Sequence, residues 1–195
     1  ESGKLQLTGD YTMSVWLKAD AVQQNWAGIL SKRSADGATN HWTLQFNSVS
    51  PKKLVVSHTT SSWDTGITLG DVAGDWHQVM VVRNGQTMTS LLDANEVHSN
   101  IWNENPAGGT GHLDIGAVRT DSSAFYYKGL IDDLIISPDA NGIDPLGYWK
   151  LDEQTGGTIN VTADPAAAAV VIWPAGVETN WGPAVGALFR SIKRD

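Results

Sequence analysis

Alternating apolar and polar residues, with a period of two, dominate the first half of the chain. Residues 11–19 carry an apolar side chain at every second position, namely Met13, Val15 and Leu17. The same alternation returns over residues 41–46, and another run of strand length covers residues 53–58. A period of two is typical of a half-buried β-strand, and none of these stretches has the period of an amphipathic helix. The pattern predicts an all-β protein.

Two further strand-like runs, within residues 79–92, flank the dipeptide Asn84-Gly85. Asparagine and glycine accept the positive φ that both central residues of a type I′ turn require, and the twist of that turn matches its flanking strands. We therefore expect a β-hairpin with Asn84 and Gly85 at its tip.

The segment 127–137 also has the length and composition of a strand. In a regular strand it would place Leu130, Leu134 and Ile136 on one side and Ile131 and Ile135 on the other, so both sides must be partly covered. A strand covered on both sides is typical of a sandwich. Asp132-Asp133 interrupts the run, and a carboxylate there needs a cation or hydrogen-bond donors around it.

Composition and charge narrow the possible partners. A chain of 195 residues with 41% hydrophobic residues is long enough for one domain with a full core. The formal net charge of −8, without a compensating Lys/Arg cluster, argues against nucleic acid and anionic membranes. No apolar run has spanning length, so membrane insertion is not expected. The chain begins at Glu1, and we expect it to be a piece of a longer protein whose other domains are among its partners.

Three segments carry a family resemblance. Residues 113–136 follow the pattern L-x-I-G-A, a loop, then F-x-x-x-G-x-I-D-D-L-x-I, which resembles the end of bacterial laminin G-like domains. Residues 5–18, LQLTGDYTMSVWLK, resemble that family's LTGDFTISAWVK, and residues 76–83, WHQVMVVR, resemble its WHHVAVTYDG. The resemblance implies a concanavalin A-like jelly-roll sandwich of two antiparallel sheets. Where the family usually has a tight turn of the DGK type, this chain has Asp93-Ala-Asn-Glu, which implies a looser reversal.

The end of the chain resembles the beginning of the family. Residues 147–157, GYWKLDEQTGG, resemble the family's first strand, GYWKFDEGSG, and residues 181–189 resemble a strand that normally precedes LTGDFT. We therefore expect one domain over residues 1–195, with 1–137 as the main body and 147–195 supplying the family's N-terminal strands. Either a circular permutation or a cut through tandem repeats would give this order.

The resemblance also implies a calcium site. Jelly rolls of this group often tie the first strand to the last with Ca²⁺, and Asp132, Asp152 and Glu153 fall on the positions that supply its ligands. Calcium prefers carboxylate and carbonyl oxygens, and it would neutralise a buried Asp132. The alternative is that Asp132 accepts backbone N–H groups while Asp152 and Glu153 are solvated.

Catalysis is the alternative function that the fold allows, because laminarinase-type glycoside hydrolases share the jelly roll. Those relatives carry their two carboxylates on an E-x-D-x-x-E strand motif, and retaining glycosidases need the two roughly 5 Å apart. This sequence has no such motif. We therefore expect a chain that is not an enzyme.

Tryptophans are the candidate ligand-binding residues, because sugar rings stack on exposed indoles. Trp26, Trp63 and Trp102 lie in or beside polar stretches that we expect to be loops, whereas other tryptophans follow strand patterns. Packing of these three against the sheet is the alternative. The sequence favours a secreted or cell-surface, non-catalytic module that binds a glycan. A structural or adhesin repeat, or a module that binds an extracellular protein, is the second hypothesis.

Overall fold

The computed structural model describes residues 5–34, 38–109, 111, 113–120, 122–143 and 145–151, together with the backbone of two short strands at 158–159 and 169–171. Strands make up nearly all of the regular structure, so the all-β prediction is confirmed. The strands in chain order are β1 (Tyr11–Ala19), β2 (Gly28–Arg33), β3 (Asn40–Phe46), β4 (Lys53–His58), β5 (Ser61–Thr68), β6 (His77–Asn84), β7 (Thr87–Leu92), β8 (Asn95–Ile101), β9 (Leu113–Ile115), β10 (Ala117–Arg119), β11 (Ala124–Tyr126), β12 (Gly129–Ser137), β13 (Gly147–Trp149), β14 (Thr158–Ile159) and β15 (Ala169–Val171).

Two sheets form the sandwich. Within the described residues, sheet 1 has the strand order β13-β12-β1-β6-β7-β8, and sheet 2 has the order β14-β15-β9-β2-β3-β4-β5 with β10 and β11 beside β2. Most neighbours are antiparallel, as predicted, but β15 runs parallel to β9 and β11 runs parallel to β2. One helical turn, α1 (Leu69–Val72), follows β5. The described residues include no helix with the length and apolar character of a bilayer-spanning segment.

The core lies between the sheets and follows the predicted alternation. From sheet 1, β1 contributes side chains that are at most 1% exposed, namely Met13, Val15 and Leu17. From sheet 2, β3 contributes an equally buried set, namely Trp42, Leu44 and Phe46. Burial of apolar surface is worth about 25 cal/mol per Å², so these two inner faces supply much of the driving force for folding.

A β-bulge in β12 changes the face of two predicted core residues. Register along β1 shifts between Ser14 and Trp16, and Asp133 takes a left-handed φ of 45°. As a result Ile131, not Leu130, joins Leu134 and Ile136 in the core. The predicted grouping of Leu130 with the inward side chains is therefore wrong, because the extra residue of a bulge reverses the alternation.

Both tight turns of sheet 1 differ from expectation in detail. The hairpin of β6 and β7 is confirmed, but Asn84 pairs with Thr87, so Gly85 and Gln86 form its tip. Only Gly85 has a positive φ there, at 59°, which fits type II′ rather than type I′.

The expected looser reversal after β7 is wrong. Asp93 and Ala94 form a two-residue turn with φ values of 49° and 65°, and the Asp93 carboxylate accepts the Gln78 backbone N–H at 2.9 Å.

Strand β13 lies against β12 at the end of sheet 1. Leu134 pairs with Trp149, and the side chains of Trp149 and Leu151 are both fully buried in the core. Residues 152–157 and most of the chain beyond them lie outside the described residues. The single domain over 1–195 and its permuted order therefore stay predictions, as does the supply of first strands by 147–195.

We expect Trp149→Ala to lower the free energy of unfolding by about 3–5 kcal/mol, because it removes the largest side chain that this strand adds to the core. Ile143→Ala, at a side chain that is 79% exposed, is the matched control and should change stability by less than about 0.5 kcal/mol. Urea unfolding followed by tryptophan fluorescence and circular dichroism measures both. Equal midpoints for the two variants would show that β13 does not complete the core.

Candidate functional site

The outer face of sheet 2 carries a row of polar side chains. Because the inward residues of β3 are Trp42, Leu44 and Phe46, the alternate residues His41, Thr43 and Gln45 face outward. Residues that pair directly across strands share a face. Following the register from Thr43 through the neighbouring strands gives the polar row, which consists of Asp114, Ser31, Thr43, Ser57 and Ser62.

Burial changes along the polar row. Ser31 and Thr43 are at most 1% exposed, whereas Ser62 at the β5 end is open to solvent. The hydroxyls of Ser57 and Ser62 lie 2.7 Å apart, and the Gln45 side-chain amide donates to Ser57 at 3.4 Å. An open cleft of about 300 Å³ lies at this exposed end of the polar row. Its described lining residues are Arg33, Ala38, Asn40, Gln45, Ser57, His58, Thr59, Thr60, Ser61 and Ser62.

Several buried polar atoms of sheet 2 lack a hydrogen-bond partner within the described part of the chain. Asn40 Oδ1 and Ser61 Oγ belong to residues that line the cleft, and Ser31 Oγ and Thr43 Oγ1 belong to the polar row. Leaving such an atom unpaired costs about 1–3 kcal/mol. These atoms have almost no solvent-accessible area, so the groups that a ligand can reach are the more exposed hydroxyls and amides of the cleft lining.

Charge on this face is mostly neutralised. Asp114, at the buried end of the polar row, accepts two hydrogen bonds from the Arg119 guanidinium, at 2.8 and 3.1 Å. The cleft lining contains the single cation Arg33 and no carboxylate among its described residues. Hydroxyl and amide groups therefore dominate the chemistry that the cleft offers.

A rim loop, residues 102–109, stands beside the cleft. Buried Arg83 holds its main chain by donating to the Glu104 carbonyl at 2.7 Å and to Asn105 Oδ1 at 3.0 Å. Thr60, which lines the cleft, donates to the Glu104 carboxylate at 3.2 Å. Gly109 packs so closely on the His41 ring that a Cβ at this position would come within 2.0 Å of it. These contacts fix the loop next to the polar row.

His58 connects the rim loop to the core. Its ring stacks on Trp102 with centroids 4.2 Å apart, and its Nε2 atom lies 3.1 Å from the Tyr11 hydroxyl. Burial, and to a smaller extent the Arg83 charge, lower the pKa of His58 to about 3, although the Glu104 backbone acts in the opposite direction. Burial also raises the pKa of Tyr11 far above its usual value, although Arg83 acts in the opposite direction. At neutral pH both groups are therefore uncharged.

The three predicted tryptophans do not come together. Trp63 lies in β5 rather than in a loop, is 4% exposed, and is packed in the core, so its predicted placement is wrong. The alternation of Trp63, Thr65 and Ile67 with outward residues was the signal for this strand. Trp102 begins the rim loop but packs one face on His58 and lies against the core. Trp26 alone of the three is exposed, at 39%.

Asp132 lies on the outer face of sheet 1, across from Trp16, and is 5% exposed. One of its oxygens accepts the Asp133 backbone N–H at 2.9 Å. Asp152 and Glu153 lie outside the described residues. Among the residues that are described, no three acidic or histidine side chains form a metal-binding group. The calcium site stays a prediction.

Sequence comparison places this geometry in a family. A laminin G-like family model, described as the concanavalin A-like lectin/glucanases superfamily, matches residues 1–141. The chain belongs to this superfamily. No curated protein sequence matches the laminin G-like chain.

Two solved structures show the same fold. One is a Bacteroides ovatus protein whose carbohydrate-binding role is itself provisional, with 13% identity, a TM-score of 0.59 and coverage of 81% of this chain. The other is the heptameric SAP-like pentraxin of Limulus polyphemus, with 16% identity, a TM-score of 0.51 and coverage of 68% of this chain. The chain spans 50% of the length of the first protein and 65% of the second.

We expect His58 to make the protein less stable in acid. Its folded pKa of about 3 lies below the ordinary value of 6.5, so the unfolded chain takes up the proton first. The stability it contributes is complete above pH 6.5 and is lost as the pH falls toward 3. Between pH 7.5 and pH 4.5 the loss from this group should be about 2.7 kcal/mol, because two pH units separate 6.5 from 4.5 and each is worth about 1.36 kcal/mol.

Urea unfolding of the wild type and of His58→Gln at both pH values measures this contribution. Carboxylates that titrate in the same range are common to both proteins, so the difference between their pH dependences isolates His58. An identical pH dependence in the two proteins would contradict the assignment.

Proposed function

We propose that the laminin G-like chain is a non-catalytic, extracellular binding module that holds a neutral glycan in the cleft on the outer face of sheet 2. The observation that carries this proposal is the group of hydroxyl and amide side chains at the exposed end of the polar row, where Gln45, Ser57 and Ser62 line the open cleft. A ligand rich in hydroxyl groups would extend this network of hydrogen bonds.

Sugar hydroxyls both donate and accept hydrogen bonds, and the cleft offers side chains with the same capacity. Serine and threonine hydroxyls each donate once and accept twice, and asparagine and glutamine amides do both. The volume of about 300 Å³ is at the lower end for ligand sites, which suits one or two sugar units. We expect dissociation constants in the micromolar to millimolar range, with avidity gained through other domains of a longer chain.

Binding without hydrolysis is supported by the lining of the cleft. A glycosidase needs two carboxyl groups that flank the scissile bond. The described lining residues include none. Beside the cleft, the Glu104 carboxylate accepts a hydrogen bond from Thr60, and Asp114 at the buried end of the polar row is engaged by Arg119, so no pair of carboxyl groups faces the cleft from the described lining. Membership of a lectin-related superfamily also fits a binding role.

A structural repeat or a protein-binding module is the second candidate. The observation that favours it is the burial of Trp63 and the packing of the partly buried Trp102 on His58 and the core, which count against two of the three predicted sugar platforms. A chain of this kind would present the sandwich mainly as a spacer, and it would show no affinity for free sugars.

The glycan proposal is tested by removing the paired hydroxyls of Ser57 and Ser62. Each lost hydrogen bond is worth about 0.5–1.5 kcal/mol, so Ser57→Ala/Ser62→Ala should weaken binding about tenfold. Calorimetric titration would follow a first screen on a glycan array.

The matched control is Thr89→Ala/Ser99→Ala, because Thr89 and Ser99 form the same kind of hydroxyl pair, at 2.9 Å, between two strands of sheet 1. Equal affinities for the two double variants would reject the cleft as the site. A wild type that binds no sugar on the array would bring the spacer or protein-binding candidate forward.

We also propose that a structural calcium ion is held by Asp132 together with Asp152 and Glu153. Asp132 is a buried carboxylate, for which a cation is a favourable neighbour. The pairing of Leu134 with Trp149 brings the chain, two residues later at Leu151, to about the level of Asp132. Asp152 follows Leu151 directly in the sequence.

Calcium should then raise stability by about 2.7 kcal/mol at a hundredfold excess over its dissociation constant. Thermal unfolding in calcium and in chelator measures this gain, and Asp132→Asn should abolish it. Asp133→Asn is the matched control, because the Asp133 carboxylate accepts the Tyr148 hydroxyl at 2.8 Å instead. The site is wrong if Asp132→Asn responds to calcium as the wild type does.

A further inference from the structure

Trp26 lies at the end of sheet 2 opposite to most of the cleft. It precedes Gly28, which pairs with Gln45 near the end of β3, whereas Asn40 begins β3 at the other end. The five residue-to-residue steps from Asn40 to Gln45 span about 17 Å of extended strand. An exposed indole at Trp26 therefore cannot share a small ligand with Asn40 or Ser61.

The backbone of Trp26 is in an uncommon conformation. Its φ of 61° is left-handed, a region that bulky residues rarely occupy. Such conformations persist only where the surrounding structure holds them, and they concentrate at functional positions. The indole is nevertheless 39% exposed rather than packed away, so burial of the ring does not explain the strain.

Two anchors hold the loop around Trp26. On its N-terminal side the buried Gln23 amide is fixed on Lys128: its oxygen accepts the Lys128 N–H at 2.9 Å, and its nitrogen donates to the Lys128 carbonyl. Gln24 donates to the Tyr126 carbonyl at 3.0 Å. On the C-terminal side the Ala27 carbonyl accepts the Phe46 N–H at 2.9 Å. Trp26 is thus presented on a short, firmly held segment.

Polar groups stand next to this segment. Lys52 Nζ donates to Asn25 Oδ1 at 2.6 Å and to the Asn47 carbonyl at 3.4 Å. An ammonium group has three donors, so one remains after these two contacts within the described residues. The Asn25 amide nitrogen adds two further donors. These donors belong to the residue before Trp26 and to its hydrogen-bond partner, so they lie close to the exposed indole in the chain. A pyranose is bound by such a combination, because its ring stacks on an indole while its hydroxyls are hydrogen-bonded.

We propose that Trp26, Asn25 and Lys52 form a second sugar site, independent of the cleft. The ligand class rests on the proposed function, but the residues do not overlap. A module with a site at each end of one sheet binds two sugar units at once, so it can bridge neighbouring glycan chains or two distant units of one chain. Because the anchors on either side already hold the backbone of Trp26 in place, less conformational entropy is lost when a sugar binds.

The test uses two-dimensional NMR of the full chain titrated with the methyl glycosides of glucose, galactose, mannose and N-acetylglucosamine. The Trp26 indole signal, assigned with Trp26→Phe, and the Asn25 side-chain amide report the second site, and the Asn40 side-chain amide with the Thr60 and Ser62 backbone amides report the cleft. We expect both sets to shift with one of these sugars. Trp26→Ala, followed at the Asn25 amide, should weaken binding at the second site at least tenfold and leave the cleft titration unchanged.

Trp26→Gly separates recognition from folding. Glycine adopts positive φ without strain, so this variant should keep the melting temperature of the wild type while it loses the second site. Trp26→Tyr, which keeps an aromatic face, should retain most of the affinity.

Each remaining outcome is decisive. If the cleft amides shift and the Trp26 indole does not, the second site is wrong and the proposed function stands. If only the indole shifts, the second site stands and the cleft is wrong. If neither responds to any of the four glycosides, or if Trp26→Ala abolishes the cleft titration as well, two independent sugar sites are excluded.

Discussion

Sealing of the apolar core between the two sheets is the constraint on which the other features depend. Each strand has only two faces, so a strand that gives Trp42, Leu44 and Phe46 to the core must give His41, Thr43 and Gln45 to the outside. Cross-strand register then aligns the outward residues of β9, β2, β3, β4 and β5 into one row. The position of the candidate cleft therefore follows from the packing of the core. Substitutions of exposed residues on the outer face, such as Ser62, can change the chemistry of the cleft while the inward side chains stay the same.

The sequence predicts correctly those elements that depend only on neighbouring residues in the chain. The alternation in β1 and the hairpin of β6 and β7 follow from side-chain period and from a glycine with positive φ. The faces of Leu130 and Ile131 were misplaced because a bulge at Asp133 depends on how β12 meets β1, which no period in a single segment reveals. Trp63 was misplaced for a different reason. Its polar neighbours Ser62 and Asp64 resemble a loop, but they are the outward half of an edge strand.

The candidate site was harder to anticipate than the fold. Its residues come from several strands that are far apart in sequence, and only their register brings Ser31, Thr43 and Ser57 together. Tryptophan content was a poor guide, because indoles serve the core of a sandwich as readily as they serve a ligand. The polar alternation at positions 41, 43 and 45 was present in the sequence, but its meaning depends on the neighbours that only a folded sheet supplies.

The contacts of Arg83 determine which side chains of the rim loop are constrained and which can be substituted. From a position that is only 2% exposed, its guanidinium donates to the main-chain carbonyl of residue 104 and to the side-chain oxygen of Asn105, so Asn105 is constrained and the side chain at 104 is not held by Arg83. Any amino acid offers a carbonyl, so the side chain at 104 can change while the path of the loop is retained, and exposed Asn103 is similarly unconstrained. A fixed backbone with interchangeable side chains, as in the variable loops of antibodies, would let related modules acquire new specificities while the fold stays the same.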